Sequence, residues 1–172
     1  AGLKTMAASL DALSPLLAEV DAVISTASGC GVTLKDYGRL LAADAARREQ
    51  AKLLSEKVMD AGEYLAALGG EWERAGNAAR VAVHIPCTLQ HGQRQGAHPK
   101  KILERAGYEL VATRDDHLCC GSAGSYALLQ PELSEQLGAN KVAALSGDQP
   151  DVIATANVGC QMHLAGQAEV PV

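Results

Sequence analysis

Two adjacent cysteines, Cys119 and Cys120, followed at once by Gly121, constrain this chain more than any other feature. Cys87 lies upstream, Cys160 downstream and His163 just beyond it, which gives the spacing C-x31-C-C-x39-C-x2-H. Neighbouring side chains on an extended strand point to opposite faces. Two adjacent thiols therefore reach one site only where the backbone turns, and Gly121 supplies the residue for such a turn. Buried free cysteines can also be plain small hydrophobes. Here the glycine and the two further cysteines favour a shared site. Thiolates are soft ligands that select zinc, copper(I) and iron–sulfur iron, so the pattern reads as a metal or iron–sulfur module.

The 172 residues suit one domain or two small packed halves, a size that buries about 70% of the unfolded surface. Hydrophobic residues make up 48%, yet aromatics only 3%, with no Phe. The core must come from Leu, Val, Ile and Ala, which favours close helix-on-sheet packing. A net charge of −5 without a long basic run leaves no source of counterion release, so nucleic acid is excluded as a partner. Five cysteines are an odd number and too few for a disulfide scaffold. With no signal-like opening and no long apolar run, the expected setting is cytoplasmic and reducing, where thiols serve metals or redox chemistry. The chain opens without Met inside an amphipathic stretch (Leu10, Leu13, Leu16, Leu17) and is expected to be part of a longer polypeptide.

Apolar spacing predicts a helix over 3–19, a buried strand from Asp21 breaking into a glycine turn at Gly29-Cys30-Gly31, and one or two helices over 34–68. Residues 71–80 read as a polar connector, while Trp72 and the charges over 44–57 read as solvated helix surface. Strands follow at 81–85, 108–112 and 152–156, alternating with helices at 99–106 and 131–145, with Pro99 at a tolerated first-turn position. This rhythm predicts an α/β fold of parallel β-sheet units flanked by helices. In such sheets ligands sit beyond the carboxyl ends of the strands, and Cys30, Cys87 and Cys160 each follow a strand. No Ser/His/Asp or paired-carboxylate constellation is present, so no catalytic residue is assigned. Gly29-x-Gly31 and Gly121-x-x-Gly124 are turn formers and not a dinucleotide fingerprint.

Val23-Ile-Ser-Thr-Ala-Ser-Gly-Cys30 aligns with Val152-Ile-Ala-Thr-Ala-Asn-Val-Gly-Cys160 across one gap. The chain is expected to hold the C-terminal part of a first repeat over 1–75 and a second repeat over 76–172 carrying the cysteine site. A tandem C…CC-G…C-x-x-C arrangement resembles the cysteine-rich CCG domain of the heterodisulfide reductase B family. More narrowly, His84-Ile-Pro-Cys-Thr-Leu-Gln-His91, His117-Leu-Cys-Cys-Gly-Ser-Ala-Gly-Ser-Tyr126, Thr155-Ala-Asn-Val-Gly-Cys-Gln-Met-His163 and Ser25-Thr-Ala-Ser-Gly-Cys-Gly-Val32 are similar to the iron–sulfur subunits of glycolate oxidases. The resemblance runs from about Asp21 to Leu164. It implies a pseudo-repeated CCG fold and an electron-transfer or structural role beside flavin-containing subunits that oxidise glycolate. It also implies peripheral association with the membrane through that complex. The two-cluster ferredoxin signature is absent from these residues.

The ligand set that the resemblance implies is Cys87, Cys119, Cys120 and Cys160, with an iron–sulfur cluster as cofactor and zinc as the alternative. Where the general pattern ends C-x-x-C, this chain has Cys160-Gln-Met-His163, which makes His163 a fifth candidate; the first copy has Cys30-Gly-Val-Thr33. A histidine ligand suits zinc, or a cluster of raised potential. Cys30 is expected to pack, or to ligate with residues outside this chain. His84, His91 and His117 flank the cysteines, where a histidine can orient or tune a centre; His98 is expected in a solvated loop. A thiol–disulfide module cycling Cys119-Cys120 and a metal-free interaction domain are the remaining alternatives.

Overall fold

The computed structural model describes residues 2–69 and 79–172. Trp72, most of the connector expected over 71–80, and the expected repeat boundary at 75/76 lie outside the described residues. In chain order the elements are α1 (Gly2–Leu13), a 3-10 turn (Ser14–Leu16), β1 (Val23–Ser25), α2 (Ser28–Lys35), α3 (Tyr37–Leu40), α4 (Arg48–Lys57), β2 (Val58–Asp60) and α5 (Ala61–Leu68). Then come β3 (Arg80–His84), a π-helical turn (Thr88–Gly92), α6 (His98–Arg105), β4 (Glu109–Leu110), α7 (Ser125–Leu129), α8 (Pro131–Leu145), β5 (Val152–Thr155) and α9 (Val158–Ala165).

The expected α/β architecture of parallel strands between helices is what forms. β1 pairs with β2, and β3 pairs with β4 on one side and β5 on the other, every pairing parallel. β3 is buried along Val81, Ala82, Val83 and His84, as a central parallel strand covered on both faces must be. Its side chains alternate between two cores. Val81, Val83 and Ile85 pack with Leu103 and Tyr108, while Ala82 joins Cys120, Leu145, Ile153, Cys160 and Leu164. A third core, built on Leu10, Leu17, Tyr37, Leu41 and Leu54, holds the first half together.

Several boundaries differ from the expected ones. Pro15 ends α1 early, and the chain continues as a 3-10 turn. The helical spacing over 34–68 conceals a strand, because β2 is only Val58-Met59-Asp60 and a pattern that short cannot be told from helix. The strand expected from Asp21 covers only Val23–Ser25, and Gly29, Cys30 and Gly31 lie in the first turns of α2. Along α8, Ser134, Gly138, Lys141 and Leu145 form a buried stripe at helical period. Its small members let α9 and the Cys-Cys-Gly loop approach closely.

The switch from β2 to α5 is made by Asp60, which caps the helix. Its carboxylate accepts from Gly62 N at 2.9 Å, and Glu63 Oε2 accepts from Asp60 N at 3.1 Å. Burial raises the Asp60 pKa above the usual carboxylate value. At the Cys-Cys-Gly turn, Gly121 has φ +91°, and a Cβ there would sit on the Ser134 carbonyl.

Replacing Asp60 with Ala is expected to cost about 1 kcal/mol, the usual worth of an N-cap, while Asp60→Asn costs less because Asn also caps and carries no buried charge. Gly121→Ala is expected to cost about 3 kcal/mol, from a backbone penalty of about 1–2 kcal/mol and overpacking of about 1–3 kcal/mol. Urea unfolding midpoints of the three variants check both.

Candidate metal centre

In the strand order β4-β3-β5 the chain passes from β3 to one edge strand and crosses back to β5 on the other side, and a crevice lies at the carboxyl ends of β3 and β5. Both strands deliver a cysteine there. β3 ends at His84 and leads through Ile85-Pro86 to Cys87, at the N-cap of the π-helical turn. β5 ends at Thr155, and Cys160 sits in the first turn of α9, whose N-cap Asn157 accepts from Gly159 N at 3.3 Å. The loop turning at Gly121 brings Cys119 and Cys120 in from a third direction. All four cysteines, with His84, Thr88, Ser122 and Asn157, line one cavity of about 290 Å³. That is several times the roughly 30 Å³ share of one water molecule, and so suits a polyatomic group better than a bare ion.

The cavity is graded in depth. Cys87 is exposed at the mouth, Cys119 is half-buried, and Cys120 and Cys160 are buried on the floor. The thiols hydrogen-bond in series from Cys87 through Cys119 and Cys120 to Cys160. Partial burial and the neighbouring Cys119 push Cys87 above the ordinary thiol value. The hydrogen bond to Cys120, then burial, raises Cys119 further. At Cys120 the bond with Cys119 lowers the pKa, but Cys160 and burial outweigh it and leave it at about 11. Cys160 is lowered by its bond with Cys120. Gly121 N donates to Cys119 Sγ at 3.4 Å, and the backbone also hydrogen-bonds Cys87 and Cys120. The buried Lys141 donates from Nζ to Asp115 O at 2.6 Å and attracts the charged forms of Cys119 and Cys120. Backbone donors on the sulfurs and a cation near them favour a bound group of net negative charge.

The structure separates the histidines. His91 and His117 are exposed, and His98 lies at the start of α6 with Nδ1 3.4 Å from Gly62 O, correcting its expected place in a solvated loop. His163 is not brought into the cysteine cavity. It follows Cys160 on α9 and turns behind the Cys-Cys-Gly loop, where Nε2 donates to Ser134 O at 3.1 Å and the ring lines a different pocket with Met162 and Gln167. His84 does enter the site. It is 2% exposed, its Nδ1 shares a 2.8 Å hydrogen bond with Thr155 Oγ1, and burial lowers its pKa to about 4. A ring nitrogen of His84 and the sulfurs of Cys120 and Cys160 all lie within 4.8 Å of one another. Cys30 is exposed on α2 and does not line the cavity, although its neighbour Gly29 does.

Asn157 and Ser122 line the cavity and Lys141 acts on Cys119 and Cys120 by charge from outside its lining, and the spacing of cysteines singled out none of the three. Asn157 carries a detectable signal as an N-cap residue directly after an apolar strand. Lys141 carries none, because a lysine within a helical pattern reads as solvated.

Residues 81–165 match the cysteine-rich domain family CCG. Across 99% of its length the chain is 42% identical to the glycolate oxidase iron-sulfur subunit of Escherichia coli strain K12, of which it spans 42%. It is 31% identical over 85% of its length to a probable glycolate oxidase iron-sulfur subunit of Bacillus subtilis strain 168, spanning 34% of that protein. Similarity at 32% identity over 87% of the chain extends to a subunit of the fumarate reductase (CoM/CoB) of Methanothermobacter marburgensis, covering 28% of it. The chain thus spans less than half the length of these relatives, and the segment that carries Cys87, Cys119, Cys120 and Cys160 belongs to the cysteine-rich CCG domain family.

Proposed function

We propose that this chain is part of an electron-transfer subunit of a complex that oxidises glycolate or a related 2-hydroxy acid, and that Cys87, Cys119, Cys120 and Cys160 hold an iron–sulfur cluster. The observation that carries this reading is the convergence of four cysteines from three separate segments on one cavity. The names of the relatives, two of them iron-sulfur subunits of glycolate oxidase, agree with it. The first 75 residues are then the end of one CCG repeat and residues 76–172 a second one that carries the cysteine site. The cluster supplies one-electron storage. The protein's part is to bind it through soft donors, shield its inner side, and set its charge through Lys141 and the surrounding backbone N–H groups.

On this reading oxidation of the hydroxy acid itself belongs to flavin-containing partner subunits, as the resemblance to glycolate oxidase subunits implies. Among the described residues no helix is long and apolar enough to cross a membrane; contact with a membrane through the complex is part of the same proposal. A thiol–disulfide module fits less well. Catalytic thiols need a depressed pKa and access, whereas Cys87, Cys119 and Cys120 are raised and the lowered Cys160 is buried.

Protein purified without oxygen is expected to be brown, with iron and acid-labile sulfide in near-equal amounts; a colourless sample with one zinc per chain would sink the cluster reading. Cys120→Ser is expected to lose most of the iron, whereas Cys30→Ser keeps it, as metal analysis of the two variants will show. In the iron-loaded protein Lys141→Met is expected to lower the reduction potential, because it removes a cation that favours the more negative state. Potentiometric titration reads that shift.

A further inference from the structure

We propose that His84, and not His163, is the fifth protein donor to the group held by the cysteines, with its imidazole ligating iron at the buried end of the cavity. This rests on the iron–sulfur reading above and deepens it. The family pattern ends in C-x-x-C, and this chain lacks the second of those cysteines. The residue that replaces it in sequence, His163, spends its Nε2 on the Ser134 carbonyl and faces a different pocket. The donor that this cysteine would bring comes instead from another strand.

Three observations place His84 there. Its ring nitrogen lies within 4.8 Å of both Cys120 Sγ and Cys160 Sγ. Three ligand atoms 2.0–2.3 Å from one metal ion lie about 3.3–4.0 Å apart, so atoms within 4.8 Å of one another need to close by about 1.5 Å at most. The ring is also held in position. Thr155, its register partner across β3 and β5, engages Nδ1 at 2.8 Å, which leaves Nε2 as the nitrogen for iron, since a ligating histidine is oriented through its other nitrogen. Finally, Cys120, Cys160 and His84 are 1%, 4% and 2% exposed. A neutral imidazole adds a donor at this depth without a further buried negative charge, which would be costly.

Histidine ligation raises a cluster's potential relative to all-thiolate ligation. The test uses the full chain, loaded with iron and sulfide without oxygen and labelled with ¹⁵N-histidine. Pulsed EPR of its paramagnetic oxidation state is expected to show the strong coupling of a directly bonded histidine nitrogen. That coupling should persist in His163→Ala and vanish in His84→Cys, which retains iron and titrates at a lower potential. Thr155→Val, which leaves the ring in place but frees it to rotate, should weaken or scatter the coupling. An iron-loaded wild type without a bonded histidine nitrogen, or a coupling that survives His84→Cys, overturns the proposal and leaves the cluster reading standing. A wild type that holds no iron overturns both, and metal analysis tells the two failures apart.

Discussion

The parallel pairing of β3 with β5 is the constraint on which the rest depends. Because the strands run in the same direction and in register from Val81 and Val152 to His84 and Thr155, both must leave the sheet at the same edge. Cys87 and Cys160, 73 positions apart by their numbers in the chain, are therefore carried to one crevice with no long-range ordering of loops. An antiparallel pairing would send them to opposite ends. Loop closure over such a separation is entropically costly, and here the cost is met by the burial of β3 on both faces instead of by the site. The strand pairing that sets this edge involves no cysteine, although Cys120 and Cys160 pack in the core against it.

What the scaffold cannot supply is the placement of Cys119 and Cys120. They arrive on a loop whose course is set by Gly121 at positive φ and by two side-chain bonds. Ser134 Oγ donates to Gly121 O at 3.0 Å, and Ser122 Oγ donates to Gly159 O at 2.8 Å. Both bonds tie the loop to helices that flank β5. His163 joins α9 to α8 through the Ser134 carbonyl, directly behind Gly121. The small residues Ser134 and Gly138 on α8 are what allow this loop to lie flat against the helix, and Cys120 becomes part of the apolar core beside Ala82 and Ile153. Electrostatics act in the same region. Burial and neighbouring thiols hold Cys87, Cys119 and Cys120 against ionisation, while Cys160 is lowered and backbone N–H groups and Lys141 favour the charged forms, so displacement of protons by a metal is the event this balance suits.

Most of the fold was legible because its signals are local. β3, β5, α6 and α8 follow from apolar runs, from Pro99 and Pro131 at helix starts, and from strand–helix alternation. β2 was not legible, since three residues between two helices carry no period of their own. The cysteines could be grouped from spacing and from the glycine after the pair. The histidines could not be ranked. His84, His91 and His117 all flank cysteines in the sequence, and only the strand register decides that His84 points inward while the other two face solvent. His163 misled for the converse reason. A ligand three residues after Cys160 is reasonable on a helix face, yet α9 turns its ring toward α8, where a buried carbonyl needs a donor.

The first half of the chain has a part in the site although its own cysteine stays outside. α2 points its start at the cavity. Ser28 N donates to Ala156 O at 3.0 Å, Ser28 Oγ shares a 2.8 Å bond with Thr88 Oγ1, and Gln93 Nε2 donates to Ser28 O at 2.9 Å. Gly29 then forms part of the wall. Thr88 follows Cys87 and Ala156 follows Thr155, so these bonds fix the two segments that carry the outer cysteine and the orienter of His84. The aligned segments around Cys30 and Cys160 thus meet at one edge of the site and do not act as separate modules. A change in how the two halves dock would be felt first at Cys87, the most exposed of the four sulfurs and the one whose neighbour Thr88 is bonded directly to the first half.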